Sequence, residues 1–314
     1  MNVLVTGVAG FVGSTLARRL LADGHDVVGV DALTDYYDPQ LKRDNLRAVE
    51  HPRLRLVEAD LNAIDLAALL ADVEVVYHQA GQPGVRKSWG TDFDTYLHGN
   101  VGATQRLLEA ALRAPRLHRF VYASSSSVYG NALRYPTEET DRPQPLSPYG
   151  VTKLAAEHLC VLYAQNHGLP TVSLRYFTVY GPRQRPDMAF TRFCTAVRDG
   201  TEISVYGTGE QVRDFTYVDD VVEANVRVAA ADVPAGSVFN VAGGTSTTVN
   251  EVIELLGEIS GRTPIVRRGD PVPGDVERTG GSTAAIEAAV GWTPTVALHD
   301  GLAEQYRWAA SVLT

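Results

Sequence analysis

The chain of 314 residues contains only two cysteines, Cys160 and Cys194. They stand far apart and in no metal-ligand spacing. That excludes a disulfide framework and a zinc site, so no metal is expected and a reducing cytoplasm is the expected compartment. No run of about 18 apolar residues occurs, so nothing reads as a membrane span. A charged leader ahead of a long apolar stretch is missing too, because "MNVLVTG" goes straight into a strand; no signal peptide is expected. A basic excess is also lacking. The net charge is -9, spread along the chain, which argues against nucleic acid or an anionic membrane as partner. There are no repeats and no low-complexity tract. What is present is 45% hydrophobic residues, enough for one large or two modest domains with a proper core.

Short β-branched runs alternate with helical spacing through the first half. Strands are predicted over 2–7, 25–31, 54–60, 73–80, 119–125 and 171–176, and helices over 11–23, 62–71, 99–113 and 149–167. The strands lack strict alternation, as strands buried on both faces do, and β-α-β order implies a parallel sheet with right-handed crossovers. After about residue 177 the texture turns Gly/Pro/Arg-rich. Helices are expected over 189–199, within "FTYVDDVVEANVRVA", within "TTVNEVIELLGEIS" with Thr248 or Asn250 as N-cap, and over 299–311, with a strand over 237–243. The fold class is therefore α/β: a Rossmann-type doubly wound parallel sheet with a smaller, mixed α/β C-terminal lobe. The expected division is 1–176 plus about 214–241 for the dinucleotide domain, and about 177–213 plus 242–314 for the substrate lobe.

"TGVAGFVG" sets Gly7, Gly10 and Gly13 between the first strand and the first helix, with Phe11 and Val12 at the helix start. Glycines there let the backbone turn tightly and bring a pyrophosphate to the free N–H groups of the helix N-terminus. Asp31 ends the second strand, where a carboxylate accepts hydrogen bonds from ribose hydroxyls and repels a 2′-phosphate. NAD is therefore expected as cofactor rather than NADP. Asp60, beside Leu61, has two readings: a contact to the adenine amino group, or a helix N-cap. Ala80 and Gly81 end the fourth strand, where small residues let a dinucleotide pass. Asn100 reads either as a polar anchor near the site or as an ordinary helix-surface residue.

"SPYGVTK" supplies Tyr149 and Lys153, which share a helix face. A tyrosine acting as a base at neutral pH needs about three pKa units of help, roughly 4 kcal/mol. A lysine ammonium and a positive nicotinamide ring both act in that direction, and Lys153 is also suited to bind the nicotinamide ribose.

These stretches, with "SSSSVYG", "RYFTVYGPRQRPDM", "RDFTYVDDV", "FNVAGG" and "GWTP", resemble the nucleotide-sugar branch of the extended short-chain dehydrogenases/reductases over essentially the whole chain. The resemblance implies that Ser125 pairs with Tyr149 at the sugar 4-hydroxyl and that Ser126 is a second hydroxyl, with Ser124 and Ser127 structural. Taken singly, each serine also reads as a backbone cap at a strand end. Dehydratases of this branch resemble "TDEVYG" here, and decarboxylases "SEVYG". This chain has Ser126 and Ser127 where those have acids. The chemistry is therefore expected to stop at oxidation and re-reduction of C4, which is epimerisation.

"DALTDYYDPQLKRDNL" and "YFTVYGPRQRPDMAF" are similar to UDP-glucuronate 4-epimerases, and "GQPGVRKSW" is similar to their "AQAGVRYS", departing at Gly81, Pro83, Lys87 and Trp89. A uronate carboxylate needs a cationic, multi-donor pocket. Arg185 can offer a bidentate fork, with Thr178, Arg86 and Ser88 as further donors, unless Arg183 and Arg185 merely flank a solvent loop. By resemblance, Arg213 serves the diphosphate or nucleotide ribose and Asp275 the nucleotide; Arg278 is a further phosphate candidate and Val205 lines the base. Uracil is implied by resemblance only, as is a homodimer. The expected activity is NAD-dependent 4-epimerisation of UDP-glucuronate to UDP-galacturonate. The alternatives are a UDP-glucose/galactose-type epimerase, a UDP-glucuronate decarboxylase and a non-catalytic NAD-binding redox sensor.

Overall fold

Seven parallel strands frame the computed structural model, which describes residues 1–270 and 276–312. The first half runs β1 (Asn2–Thr6), α1 (Phe11–Ala22), β2 (Asp26–Asp31), α2 (Pro39–Arg47), β3 (Leu54–Glu58), α3 (Leu66–Leu70), β4 (Val75–His78), α4 (Phe93–Tyr96), α5 (Ala103–Ala111), β5 (Arg119–Ser125), α6 (Pro148–His167) and β6 (Thr171–Tyr176). The second half runs β7 (Thr178–Tyr180), α7 (Ala189–Asp199), β8 (Glu202–Tyr206), β9 (Val212–Arg213), β10 (Phe215–Tyr217), α8 (Val218–Ala230), β11 (Ser237–Val241), β12 (Thr247–Thr248), α9 (Val249–Ser260), β13 (Ile265–Gly269), α10 (Ala284–Val290) and α11 (Leu298–Val312).

The large sheet has the order β11-β6-β5-β4-β1-β2-β3. β1 pairs with β2 on one side and β4 on the other, so the chain order reverses there. A crevice opens beyond the carboxyl ends of strands at such a reversal. Successive side chains of β1 serve opposite faces. Val3 and Val5 pack with Leu16 and Leu20 of α1 and Val221 of α8. Leu4 packs on the other side with Leu107 of α5 and Ala156 and Cys160 of α6. Both layers are therefore filled, and the sheet is doubly wound. Each fully buried leucine, such as Leu107, contributes roughly 2 kcal/mol. Cys160 and Cys194 are buried free thiols. No helix among the described residues is long and apolar enough to cross a membrane.

Outside the large sheet, β7 pairs with β10, β8 with β13 and β9 with β12. α9 begins at Thr248, whose hydroxyl accepts from Glu251 N while Glu251 reaches back to Thr248 N. Of the two N-cap candidates, Thr248 is the one used.

Helices α4 and α10 were not expected, and three more differ from expectation. The helix expected over 62–71 forms only over Leu66–Leu70, because Asp65 accepts from Ala67 N and Ala68 N and starts it late. The helix expected over 99–113 begins as a π-helical stretch, Leu97–Gly102, and becomes α-helical at Ala103. Helix α2 was not expected. Asp38 caps it and Pro39 opens it, but it is largely polar and buries Lys42 and Asn45, so it lacks an apolar stripe.

Candidate active site

The turn after β1 is built by close approach. Gly7 has φ +69°, and a Cβ on it would lie 2.8 Å from Ala80 N. A Cβ on Gly13 would run into the carbonyl oxygen of Gly7. Only glycine lets α1 start this close to β1 and β4. Gly10 is the N-cap of α1, no side chain caps the helix, and no acid lies in its first turn. The first N–H groups, from Phe11 to Gly13, are thus left to an anion such as a diphosphate. Asp31 accepts from Ala9 N at 3.0 Å and from Leu33 N at 2.8 Å, one bond to each oxygen. Each oxygen keeps a lone pair for a ribose hydroxyl. A dinucleotide with a free 2′-hydroxyl fits this cradle.

The sequence left Asp60 and Asn100 with two readings each. Asp60 does not cap a helix, because Asp65 caps α3; it accepts from Asn62 N and lies 3.0 Å from His98 Nε2. Asn100 is not a surface residue: it is 1% exposed. Its carboxamide holds Gln82 N and O, and donates to Thr152 Oγ1 at 3.0 Å. It sits in the π-helical stretch, a distortion frequent at functional sites. A Cβ on Gly81 would lie 2.8 Å from Asn100 Oδ1 and 3.4 Å from Lys153 Nζ, so Gly81 is where these two side chains meet the end of β4. Leu61 is buried and packs under α3 and α5.

A buried relay behind this cradle escaped the sequence reading. Thr104 Oγ1 donates to Asn100 O, so His78 Nε2 must donate to Thr104 Oγ1, and His78 Nδ1 accepts from Thr6 Oγ1, both at 2.8 Å. Thr6 in turn accepts from Ala80 N. Burial pushes the His78 pKa down to about 3, so the ring is neutral, as this chain of donors requires. The one signal in the sequence was a histidine ending an otherwise apolar strand.

The four serines divide their work. Ser124, buried, donates to Glu157 Oε2 at 2.6 Å, and Glu157 is locked to Arg175 by a buried ion pair of 2.7 Å. Ser125 accepts from Ser127 N and also hydrogen-bonds the Tyr149 side chain. It is therefore both a cap and a partner of the phenol. Ser126 and Ser127 line the large cleft. Ser127, expected to be structural, is thus in the lining as well, on the short helical turn Ser126–Val128.

Ser147 caps α6 through Gly150 N, which presents Tyr149 and Lys153 one turn apart. Burial holds the Tyr149 phenol above its ordinary pKa, while the Ser125 hydrogen bond and the Arg185 charge draw it back. Lys153, expected together with a positive nicotinamide ring to favour the phenolate, donates to Ala123 O at 2.7 Å, lies 5.1 Å from the Tyr122 ring centre, and has its own pKa lowered by burial to about 8. Asn100, Gly81 and Lys153 converge at the end of β4.

The cleft has a volume of about 520 Å³ and lies between the sheet's carboxyl edge and the C-terminal lobe. Among the described residues its lining carries five cations, Arg86, Lys87, Arg185, Arg192 and Arg213, against one carboxylate, Asp187. In a chain of net charge -9, that local excess suits a multiply anionic ligand. Thr178 and Val205 are in the same lining. The guanidinium of Arg86 stacks 4.2 Å from the centre of the Tyr206 ring. Arg185 makes a fork to Asp187, with Nε to Oδ1 at 2.9 Å and Nη2 to Oδ2 at 3.0 Å. It does not flank a solvent loop, since its side chain is only 20% exposed.

One expected donor is corrected. Ser88 is fully buried, donates to Val85 O at 2.7 Å within its own helical turn, and is not in the cleft lining. Arg278 lies over the Tyr135 ring at 5.0 Å, and its neighbour Thr279, rather than Arg278 itself, lines the cleft. Asp275 lies outside the described residues. Among the described residues no cluster of histidine, cysteine or acidic side chains is suited to a metal ion.

Residues 3–242 match the NAD dependent epimerase/dehydratase family. The chain is 41% identical to an uncharacterized UDP-glucose epimerase of Bacillus subtilis, over 99% of both chains. It is 37% identical to a probable UDP-glucuronate 4-epimerase of Rhizobium meliloti, over 98% of this chain and 96% of that one. A crystal structure of UDP-glucuronic acid 4-epimerase from Bacillus cereus, in complex with UDP-glucuronic acid and NAD, superposes with a TM-score of 0.95 at 41% identity, covering 98% of this chain and 99% of that one.

Proposed function

The chain belongs to the NAD dependent epimerase/dehydratase family, and from that premise we propose that it inverts C4 of a UDP-linked hexuronate, interconverting UDP-glucuronate and UDP-galacturonate. It is an isomerase that uses NAD. The observation that carries the reading is the make-up of the cleft among the described residues: hydroxyls and cations, with a single carboxylate that is already committed to Arg185. Among the described residues an acid or base for C5 is therefore missing, and elimination or decarboxylation has no general-acid partner there.

In this reading Tyr149, hydrogen-bonded by Ser125, takes the proton of the 4-hydroxyl. Bound NAD supplies a hydride acceptor, the matching donor in its reduced form, and a positive ring charge. Lys153 and Asn100 hold the ribose end of the cofactor, with Gly7, Gly10, Gly13 and Asp31 on the diphosphate and adenosine. The 4-keto sugar then turns about its diphosphate linkage while Arg213 and the lobe hold the nucleotide. Tyr149 returns the proton after reduction on the other face. Ser126, Thr178 and Arg185 receive the C6 carboxylate.

Residues 1–176 and about 214–241 form the NAD part in this account, and about 177–213 and 242–314 the substrate part. We assign the cytoplasm, whose reducing environment suits two free thiols. We also assign a homodimer, supported by the exposed apolar side chains Leu97, Val151 and Leu162 on neighbouring helical segments.

A neutral substrate such as UDP-glucose is the second reading, favoured by the Arg185–Asp187 fork, which leaves that cation neutralised. Initial rates with the two nucleotide sugars decide between them. The proposal expects kcat/KM for UDP-glucuronate to exceed that for UDP-glucose at least about tenfold, the worth of one charged contact. The reverse order moves the assignment to the neutral sugar.

A further inference from the structure

The guanidinium suited to a sugar carboxylate does not present an open fork. Arg185 and Asp187 lie in a turn closed by Met188 N donating to Arg185 O at 3.1 Å, with Pro186 at its second position. That turn keeps the Asp187 carboxylate bidentate on Arg185. Tyr36 lies beside the pair. Its hydroxyl is 3.5 Å from Asp187 Oδ2, and its ring lies under two cations: the Lys87 ammonium at 4.7 Å from the ring centre and the Arg185 guanidinium at 6.0 Å. A Cβ on Gly84 would run into the Tyr36 hydroxyl, so the ring is seated against that backbone.

All four side chains line the cleft that holds Ser126 and Thr178. The corner carries two cations and one carboxylate, a net charge of +1. A neutral sugar leaves it at +1, and a hexuronate brings it to zero. A sugar carboxylate that seeks the Nε/Nη2 edge of Arg185 meets a competitor of the same chemistry, tethered two residues away. If Asp187 yields that edge, the Tyr36 hydroxyl lies beside it as a donor, and the Lys87 ammonium over the Tyr36 ring keeps the corner cationic.

We propose that Asp187 is a specificity-determining residue. Its carboxylate occupies on Arg185 the place that a hexuronate carboxylate takes, so UDP-hexoses bind with the pair closed and UDP-hexuronates bind by exchange. Asp187 thereby weakens hexuronate binding and leaves hexose binding untouched, which narrows the preference between the two classes. This deepens the proposed function, because it assumes that C6 of the sugar faces Arg185.

Calorimetric titration of the NAD-loaded protein with UDP-glucuronate and with UDP-glucose tests it, in a Tyr149→Phe background so that neither ligand is converted. Adding Asp187→Asn is expected to tighten UDP-glucuronate roughly tenfold, the release of one charged hydrogen-bonded contact, with UDP-glucose unchanged. Asp187→Ala repeats the comparison without a hydrogen-bonding side chain, and retained UDP-glucose binding reports that each variant is folded. Unchanged or weaker UDP-glucuronate binding in the folded variants overturns the proposal and makes Asp187 a mere anchor for Arg185. The proposed function is judged separately, by turnover in the protein with Tyr149 intact. Absence of UDP-glucuronate turnover there, with the affinity ratio still moved by Asp187→Asn, removes the epimerase reading and leaves this one standing.

Discussion

Lys153 is buried with its ammonium on Ala123 O, and burial brings its pKa down to about 8 from the 10.5 of an exposed lysine. Below pH 8 both the folded and unfolded chains are protonated there, and the folded state bears the full cost. Between 8 and 10.5 the unfolded chain holds the proton more tightly, so the stability of the natural protein rises with pH relative to a variant without the amine. The stability advantage of Lys153→Met over the natural protein is therefore expected to shrink by roughly 3 kcal/mol across that window. Denaturant titrations at several pH values measure it, and a difference that does not change with pH contradicts the burial of a charged amine. In the proposed reaction Tyr149 has the complementary role. Tyr149→Phe is expected to lower kcat at least about a thousandfold while NAD stays bound, because Tyr149 is not among the groups assigned to hold the diphosphate. Loss of NAD together with activity contradicts this division. At this scale the sequence was legible where residue type and register suffice, as for the placing of Asp31 and Ser125 at strand ends and of Tyr149 one turn from Lys153. It was not legible where orientation decides. Ser88 turned to its own backbone, Ser127 turned into the cleft, and the fork between Arg185 and Asp187 depends on a turn whose geometry no spacing rule states.

The stretch from β1 to α1 is an element whose function is its tightness. A methyl on Gly13 meets a backbone carbonyl, and backbone cannot move aside as a flexible side chain can. Gly13→Ala is accordingly expected to part α1 from β1 and to yield protein purified without NAD, read from absorbance and from a lost shift in melting temperature on adding NAD. Full NAD occupancy in a folded Gly13→Ala protein contradicts the cradle as described. The parallel strands were readable because their apolar runs serve both faces, as Val3, Leu4 and Val5 do. The helices were less so. α2 is polar yet buried at Lys42 and Asn45, and Asn45 donates to Ala9 O beside the glycine turn, so tertiary contacts replace the missing stripe. The π-helical stretch that seats Asn100 keeps a helical apolar pattern, which hides the change in hydrogen bonding from any periodicity argument.

For the whole molecule, an acidic chain carries a basic cleft, and the cleft faces the carboxyl edge of a sheet whose strand order reverses at β1. Fold and cofactor were within reach of the sequence, because a glycine turn and a terminal aspartate each have a physical reason for their spacing. The reaction type was reached by a missing group: "SSSSVYG" has no acid, and among the described residues the cleft's one carboxylate is held by Arg185. The most direct test is to incubate the purified protein with UDP-glucuronate, adding no NAD, and to resolve the products by NMR and mass. The account predicts UDP-galacturonate of unchanged mass, formed with the NAD the protein carries. A UDP-pentose, lighter by carbon dioxide, contradicts it.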